Sequence, residues 1–235
     1  MRTDNECRLD MYIIKEEGGF SNTYILPVND SEIIVVDPAN FDRIQHCLFE
    51  LSGKMCYAFL THEHWDHIAG LNQLRNVCNV KVVSTEKCSE GIQSSKLNLS
   101  KYLSLFNKDM AGKKNGFVCE KADILIRGSK RFNISNVEVS VFETPGHSQG
   151  SCCIQIGNML FTGDTMLNSG AAIFRMPNHD KEAYRSITMP VLRRLLLAHK
   201  DMVIYPGHGE KMKMSDSLEY IAGYVEGEVE SVHPL

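Results

Sequence analysis

The chain has no CxxC pair among its eight cysteines, no apolar run long enough to span a bilayer, and no excess of positive charge. Each absence removes a class of function. Without paired cysteine spacing, neither a zinc ribbon nor a thioredoxin-type redox centre is indicated. In a reducing compartment scattered thiols act as small buried hydrophobes, and the adjacent Cys152 and Cys153 are read as strand packing rather than redox chemistry. A membrane span needs about 18 consecutive apolar residues, which no stretch reaches. The opening residues, MRTDNECRLDMYIIKEEGG, mix charges and lack the apolar core of a secretory signal. The expectation is a cytoplasmic protein with no membrane partner. A formal net charge of −4 gives no electrostatic ground for nucleic acid as a partner.

What is present can fold. With 235 residues, 43% of them hydrophobic and 23% charged, the chain can bury a substantial core, and the expectation is one domain over 1–235. Short β-rich runs come first: MYIIK, NTYIL and EIIVVD, the last two joined by a turn through Asn29 and Asp30. A helix is expected at about 41–51, then the strand CYAFL, a second helix and the strand VKVVS. Residues 87–116 break this rhythm and read as a helical and loop insertion. Strands resume at about 124–127, 137–142, 151–156, 159–162 and 202–205. Between the last two, Ala183, Ile187, Val191 and Leu195 recur near a helical period, and Pro190 should kink or interrupt that helix. Strands alternating with helices on both sides of the middle suggest two sheets with helices outside.

The segment THEHWDH, Thr61 to His67, follows the apolar strand CYAFL directly. Three imidazoles and a carboxylate within six residues are costly to bring together without something to bind. In extended backbone His62 and His64 point to the same side, and Asp66 and His67 fall where a helix begins. Such nitrogen and oxygen donors suit zinc, iron or manganese. Three further strands end in glycine-containing turns with one ligand-type residue each: His147 in TPGHSQGS, Asp164 in FTGDT and His208 in YPGHG. Rigid strands ending in such loops present functional groups.

These four motifs, in this order and at these intervals, resemble those of the metallo-β-lactamase superfamily, and within it the glyoxalase II branch. The resemblance runs from VVDPA, around Asp37, to His208. It implies an α/β fold, a four-layer αββα sandwich with a metal site at one edge of two sheets. It also implies two divalent metal ions, zinc first, with iron or manganese as alternatives. His62, His64 and His147 would hold one ion, Asp66, His67 and His208 the other, and Asp164 would bridge them. Asp37 would support the site from behind. The implied chemistry is hydrolysis by a metal-bridged hydroxide, oriented by Asp66 as the catalytic carboxylate.

Glyoxalase II enzymes add a C-terminal helical region that grips glutathione. Here 27 residues follow His208, and Ile173 stands where those enzymes place a basic residue, with Arg175 two positions on. The expected substrate is therefore a smaller thioester, ester or lactone. Arg175, Tyr102 and Phe106 are the candidate substrate contacts, while Trp65 is expected to pack, and His46, His179, His199 and His233 are read as surface residues. Homodimers are common in the superfamily, and nothing in the sequence identifies an interface. Two other readings stay open. One is an oxygenase of the persulfide dioxygenase type, with one iron on His62, His147 and Asp164. The other is a non-catalytic binding member of the fold.

Overall fold

A computed structural model describes residues 11–49, 54–103, 116–168 and 177–217. The expected strands form in chain order, with two that the sequence reading did not find. In the first sheet lie β1 (Tyr12–Ile14), β2 (Thr23–Pro27), β3 (Glu32–Val36), β4 (Met55–Phe59), β5 (Asn79–Thr85) and β6 (Ile124–Ile126). The second sheet holds β7 (Lys130–Ile134), β8 (Val137–Glu143), β9 (Cys152–Ile156), β10 (Met159–Gly163), β11 (Val203–Pro206) and β12 (Met212–Lys213). Each sheet is ordered as the chain runs. From β3 to β6 neighbours pair parallel, as do β10 and β11, and the other pairs are antiparallel.

Parallel strands need helical crossovers that cover both faces. The central run EIIVV of β3 is accordingly buried at four successive positions. Between β3 and β4 runs α1 (Phe41–Phe49); α2 (Trp65–Ile68) and α3 (Leu71–Val77) link β4 to β5; α4 (Glu86–Ile92) follows β5. Ile33, Val35 and Ala58 of the sheet meet Ile44, Ile68, Leu71, Leu74, Cys88 and Ile92 from these helices. The opposite sheet face contributes Leu26, Ile34, Val36 and Phe59 to the core between the sheets, against Val139, Val141, Ile154 and Phe161. Each such side chain removed from water contributes about 1.5–3 kcal/mol.

The outer face of the second sheet is covered by one helical stretch: α5 (Lys181–Ala183), a π-turn over Tyr184–Thr188, and α6 (Met189–Ala198). Leu192, Leu195 and Leu196 pack there on Cys153, Leu160 and Ile204. The interruption expected at Pro190 takes the form of the π-turn just before it. A proline lacks an N–H and collides with the carbonyl four residues back, and a wider turn accommodates both. The result is the four-layer αββα sandwich. Cys152 and Cys153 fall on opposite faces of β9, each in its own core. Burial pushes the Cys153 thiol up to about 12. No helix among the described residues is long and apolar enough to cross a membrane.

Candidate metal centre

Both sheets end at one edge, and the ligand-type residues stand there. β4 delivers Thr61 to His64, the β8–β9 turn His147, β10 Asp164 and β11 His208. Asp66 and His67 lie in α2, whose first residue Trp65 follows His64 in extended backbone. That switch from strand to helix is what turns His62 and His64 one way and His67 another. Trp65 packs as expected, 7% exposed, with Leu99 and Leu103, and its ring meets Phe20 edge-on at 5.7 Å.

Three ring nitrogens converge in a first pocket. His62 Nε2 lies 3.1 Å from His64 Nδ1, which lies 3.0 Å from His147 Nε2. All three side chains are buried. Burial, reinforced by the neighbouring imidazoles, holds His62 well below the usual histidine range and brings His64 down to about 3. Their rings are therefore neutral, the form that binds metal.

The second pocket holds Asp66, His67 and His208. His208 Nε2 is 3.1 Å from Asp66 Oδ2, and His67 Nε2 is 3.7 Å from the same oxygen. Here burial works against protonation and the carboxylates overcome it. His208 is lifted to about 9, and Asp66, Asp164 and Asp37 raise His67 well above its ordinary value. Asp164 stands between the pockets. Its Oδ1 is 3.4 Å from His67 Nε2, and its Oδ2 is 3.5 Å from His147 Nε2 and 3.8 Å from His208 Nε2. Gly207 permits this approach, because a methyl group there would overlap Asp164 and the His67 ring.

The donor set fits divalent cations. Among the described residues, His67 Nε2 and Asp164 Oδ1 are buried with no hydrogen-bond partner, a costly state that a cation between them would relieve. Three triads have ligand atoms mutually within 4.8 Å: His62, His64 and His147; His62, His67 and Asp164; Asp66, His67 and His208.

Behind the ligands, Asp37 has the left-handed backbone angle φ 51°, unusual outside glycine. Its carboxylate accepts from Thr61 N at 2.7 Å, Thr61 Oγ1 at 2.6 Å and His67 Nδ1 at 2.8 Å. Fixing Nδ1–H in this way leaves Nε2 as the candidate ligand atom. Two other carboxylates escaped the sequence reading. Glu16, in the β1–β2 connection, lies 2.8 Å from His208 Nδ1, and Glu63 is buried beside the first pocket, where burial lifts it to about 7. The THEH motif names Glu63, but alternation alone sends its side chain away from the histidines.

Of the candidate substrate contacts, Tyr102 is half-buried against Trp65, Leu99 and Leu103, while Phe106 and Arg175 lie outside the described residues. His46, His179 and His199 are exposed.

Residues 17–208 match the metallo-beta-lactamase superfamily model. The chain belongs to that superfamily, whose members are mostly hydrolases. A curated relative named "Probable metallo-hydrolase", from Streptococcus pyogenes, is 26% identical over 200 residues, covering 80% of this chain and 78% of that protein. The hydroxyacylglutathione hydrolase of Klebsiella pneumoniae is 27% identical over 155 residues, 64% of this chain and 50% of that enzyme. This chain thus spans about half the length of that enzyme. Among solved structures, the BLEG-1 B3 metallo-beta-lactamase superposes with a TM-score of 0.75 at 22% identity, covering 89% of this chain and 96% of that one.

Proposed function

We propose that this protein is a binuclear metallo-hydrolase that cleaves a thioester, ester or lactone of a small molecule. One observation carries the reading: seven ligand-type side chains from four separate segments converge, leaving His67 Nε2 and Asp164 Oδ1 buried without hydrogen-bond partners among the described residues. Zinc is the first expectation for this set, with iron or manganese as alternatives. His62, His64 and His147 would hold one ion and Asp66, His67 and His208 the other, with Asp164 shared. Bound cations would supply a water of lowered pKa and polarise the substrate carbonyl.

The chain's own groups divide the remaining work. Asp66 is the least buried of the carboxylates in the ligand set. It orients the attacking water and takes up its proton at a carboxylate oxygen. Asp37 and Glu16 hold His67 and His208 in the orientations that present Nε2. Ser148 and Ser151 are not free to act as nucleophiles, because they are buried and bonded to each other, and Ser148 donates to Glu63. Phe20, Trp65, Tyr102 and Phe117 form an apolar cluster next to Asp66, suited to an acyl chain, and Phe106 and Arg175 complete the proposed substrate contacts.

The test is metal content per chain by elemental mass spectrometry on protein purified without added metal, followed by thioester and lactone panels. About two zinc or manganese ions per chain with turnover supports the reading. One iron per chain with oxygen uptake and no hydrolysis would replace it.

A further inference from the structure

Glu63 lies between two proposed ligands, yet its side chain points away from them into the protein, where it is 5% exposed. Its Oε2 accepts a hydrogen bond from Ser148 Oγ at 2.9 Å, and Gly150 packs closely against the same oxygen. Ser148 follows His147 directly. The same turn is closed internally by Ser148 N to Ser151 Oγ at 3.1 Å and Gly146 N to Ser148 O at 3.0 Å. Outside the turn, Gly150 O accepts from Thr85 Oγ1 at 2.8 Å and Cys152 N donates to Thr61 O at 2.8 Å. Room for the carboxylate comes from two glycines. A methyl on Gly91 of α4 would overlap its stem, and a methyl on Gly150 would overlap Oε2.

A carboxyl group buried here costs stability that an apolar side chain of similar volume would not. What it offers in return is direction, since packing alone does not fix the rotation of a polar turn. We propose that Glu63 is the positioning residue of the three-histidine pocket, tying the turn that carries His147 to the segment that carries His62 and His64. It touches neither substrate nor metal. It acts through Ser148 and Gly150, and sets where His147 Nε2 stands relative to His62 Nε2 and His64 Nδ1. This inference rests on the metal-centre reading above.

The test is zinc affinity of the metal-free full chain, by competition with a chromogenic chelator, in a His208→Ala background that removes one ligand-type residue of the second pocket. Glu63→Leu keeps volume and removes the acceptors. It should weaken zinc about 10- to 100-fold, the range for groups that orient ligands, while the metal-free protein melts no lower than its parent. Glu63→Gln keeps one acceptor and should recover most of the affinity. Ser148→Ala should cost less, and nothing further in the Glu63→Leu background, because both changes remove one link. Unchanged affinity in Glu63→Leu and Ser148→Ala overturns the inference. So does equal weakening of both pockets when Glu63→Leu is made with His208 intact. Should Glu63→Leu not fold, Ser148→Ala alone decides between the two. A parent protein that takes up no zinc overturns the metal-centre reading instead.

Discussion

The two halves of the site use similar side chains under opposite electrostatic conditions. His62, His64 and His147 sit in a buried pocket, where burial and mutual repulsion keep His62 and His64 neutral. Asp66, His67 and His208 share their pocket with carboxylates that draw protons onto the two imidazoles. The first pocket is braced by buried hydrogen bonds through Thr61, Glu63 and Ser148. The second is braced from below by Asp37 and from the surface by Glu16, with His208 26% exposed. An ion entering the first pocket competes with few protons, whereas an ion entering the second must displace them. The second pocket is also the more exposed of the two.

Removing the proposed shared ligand should have the largest effect, because it would damage both pockets. Asp164→Ala is expected to lose several kcal/mol of transition-state stabilisation, roughly 1,000-fold in kcat/KM, in a steady-state assay on the best ester or thioester found. A loss under tenfold would remove Asp164 from the bridging role. Acidity should separate the pockets next. The folded value for His208, about 9, stands above the free imidazole's 6.5. Its proton therefore stabilises the metal-free protein fully below pH 6.5, a contribution lost as pH rises through about 9. Zinc must displace that proton and the one on His67, so affinity at the second pocket should fall at least tenfold per pH unit below 9. The first pocket should stay nearly flat over the same range. Calorimetry in buffers of different ionisation enthalpy reads the proton release, and equal release from both pockets would erase the contrast.

Smaller changes bear more on one pocket than on the other. Asp37→Asn should weaken the second pocket about 10- to 100-fold, visible as loss of one of two bound ions on dialysis against a weak chelator. Gly150→Ala should disturb only the first, through its overlap with Glu63, at about 1–3 kcal/mol of stability in a denaturant titration. The smallest effect is expected from Glu16→Gln. Its bond to His208 is partly exposed, and such contacts contribute up to about 1 kcal/mol, so zinc affinity should fall less than about fivefold.

Much of this architecture is legible from one sequence, and the gaps have physical causes. EIIVV and CYAFL announce themselves because strands covered on both faces need unbroken apolar runs. β7, KRFNI, does not, because it lies at a sheet edge and only Ile134 is fully buried. β12 has two residues at the opposite edge, too few to carry any period. The helix over Ala183 to Leu195 was readable from its apolar stripe, while the π-turn within it depends on how the backbone relieves Pro190. Ligand-type residues were readable because imidazoles and carboxylates crowd into four short motifs. Glu16 was not, since a glutamate in KEEGG looks like solvated charge until the fold brings it 2.8 Å from His208.

By itself the sequence determined which atoms are available. It supplied strands long and apolar enough to make two sheets, and at their ends the histidines and aspartates of a metal centre. Only the tertiary structure decided which of those atoms meet, which imidazoles are charged, and which buried carboxylates steer them. Those properties depend on distance and on the exclusion of water. Both are set by segments far apart in the chain, such as Glu63 with Ser148 or Glu16 with His208, and no local pattern records them.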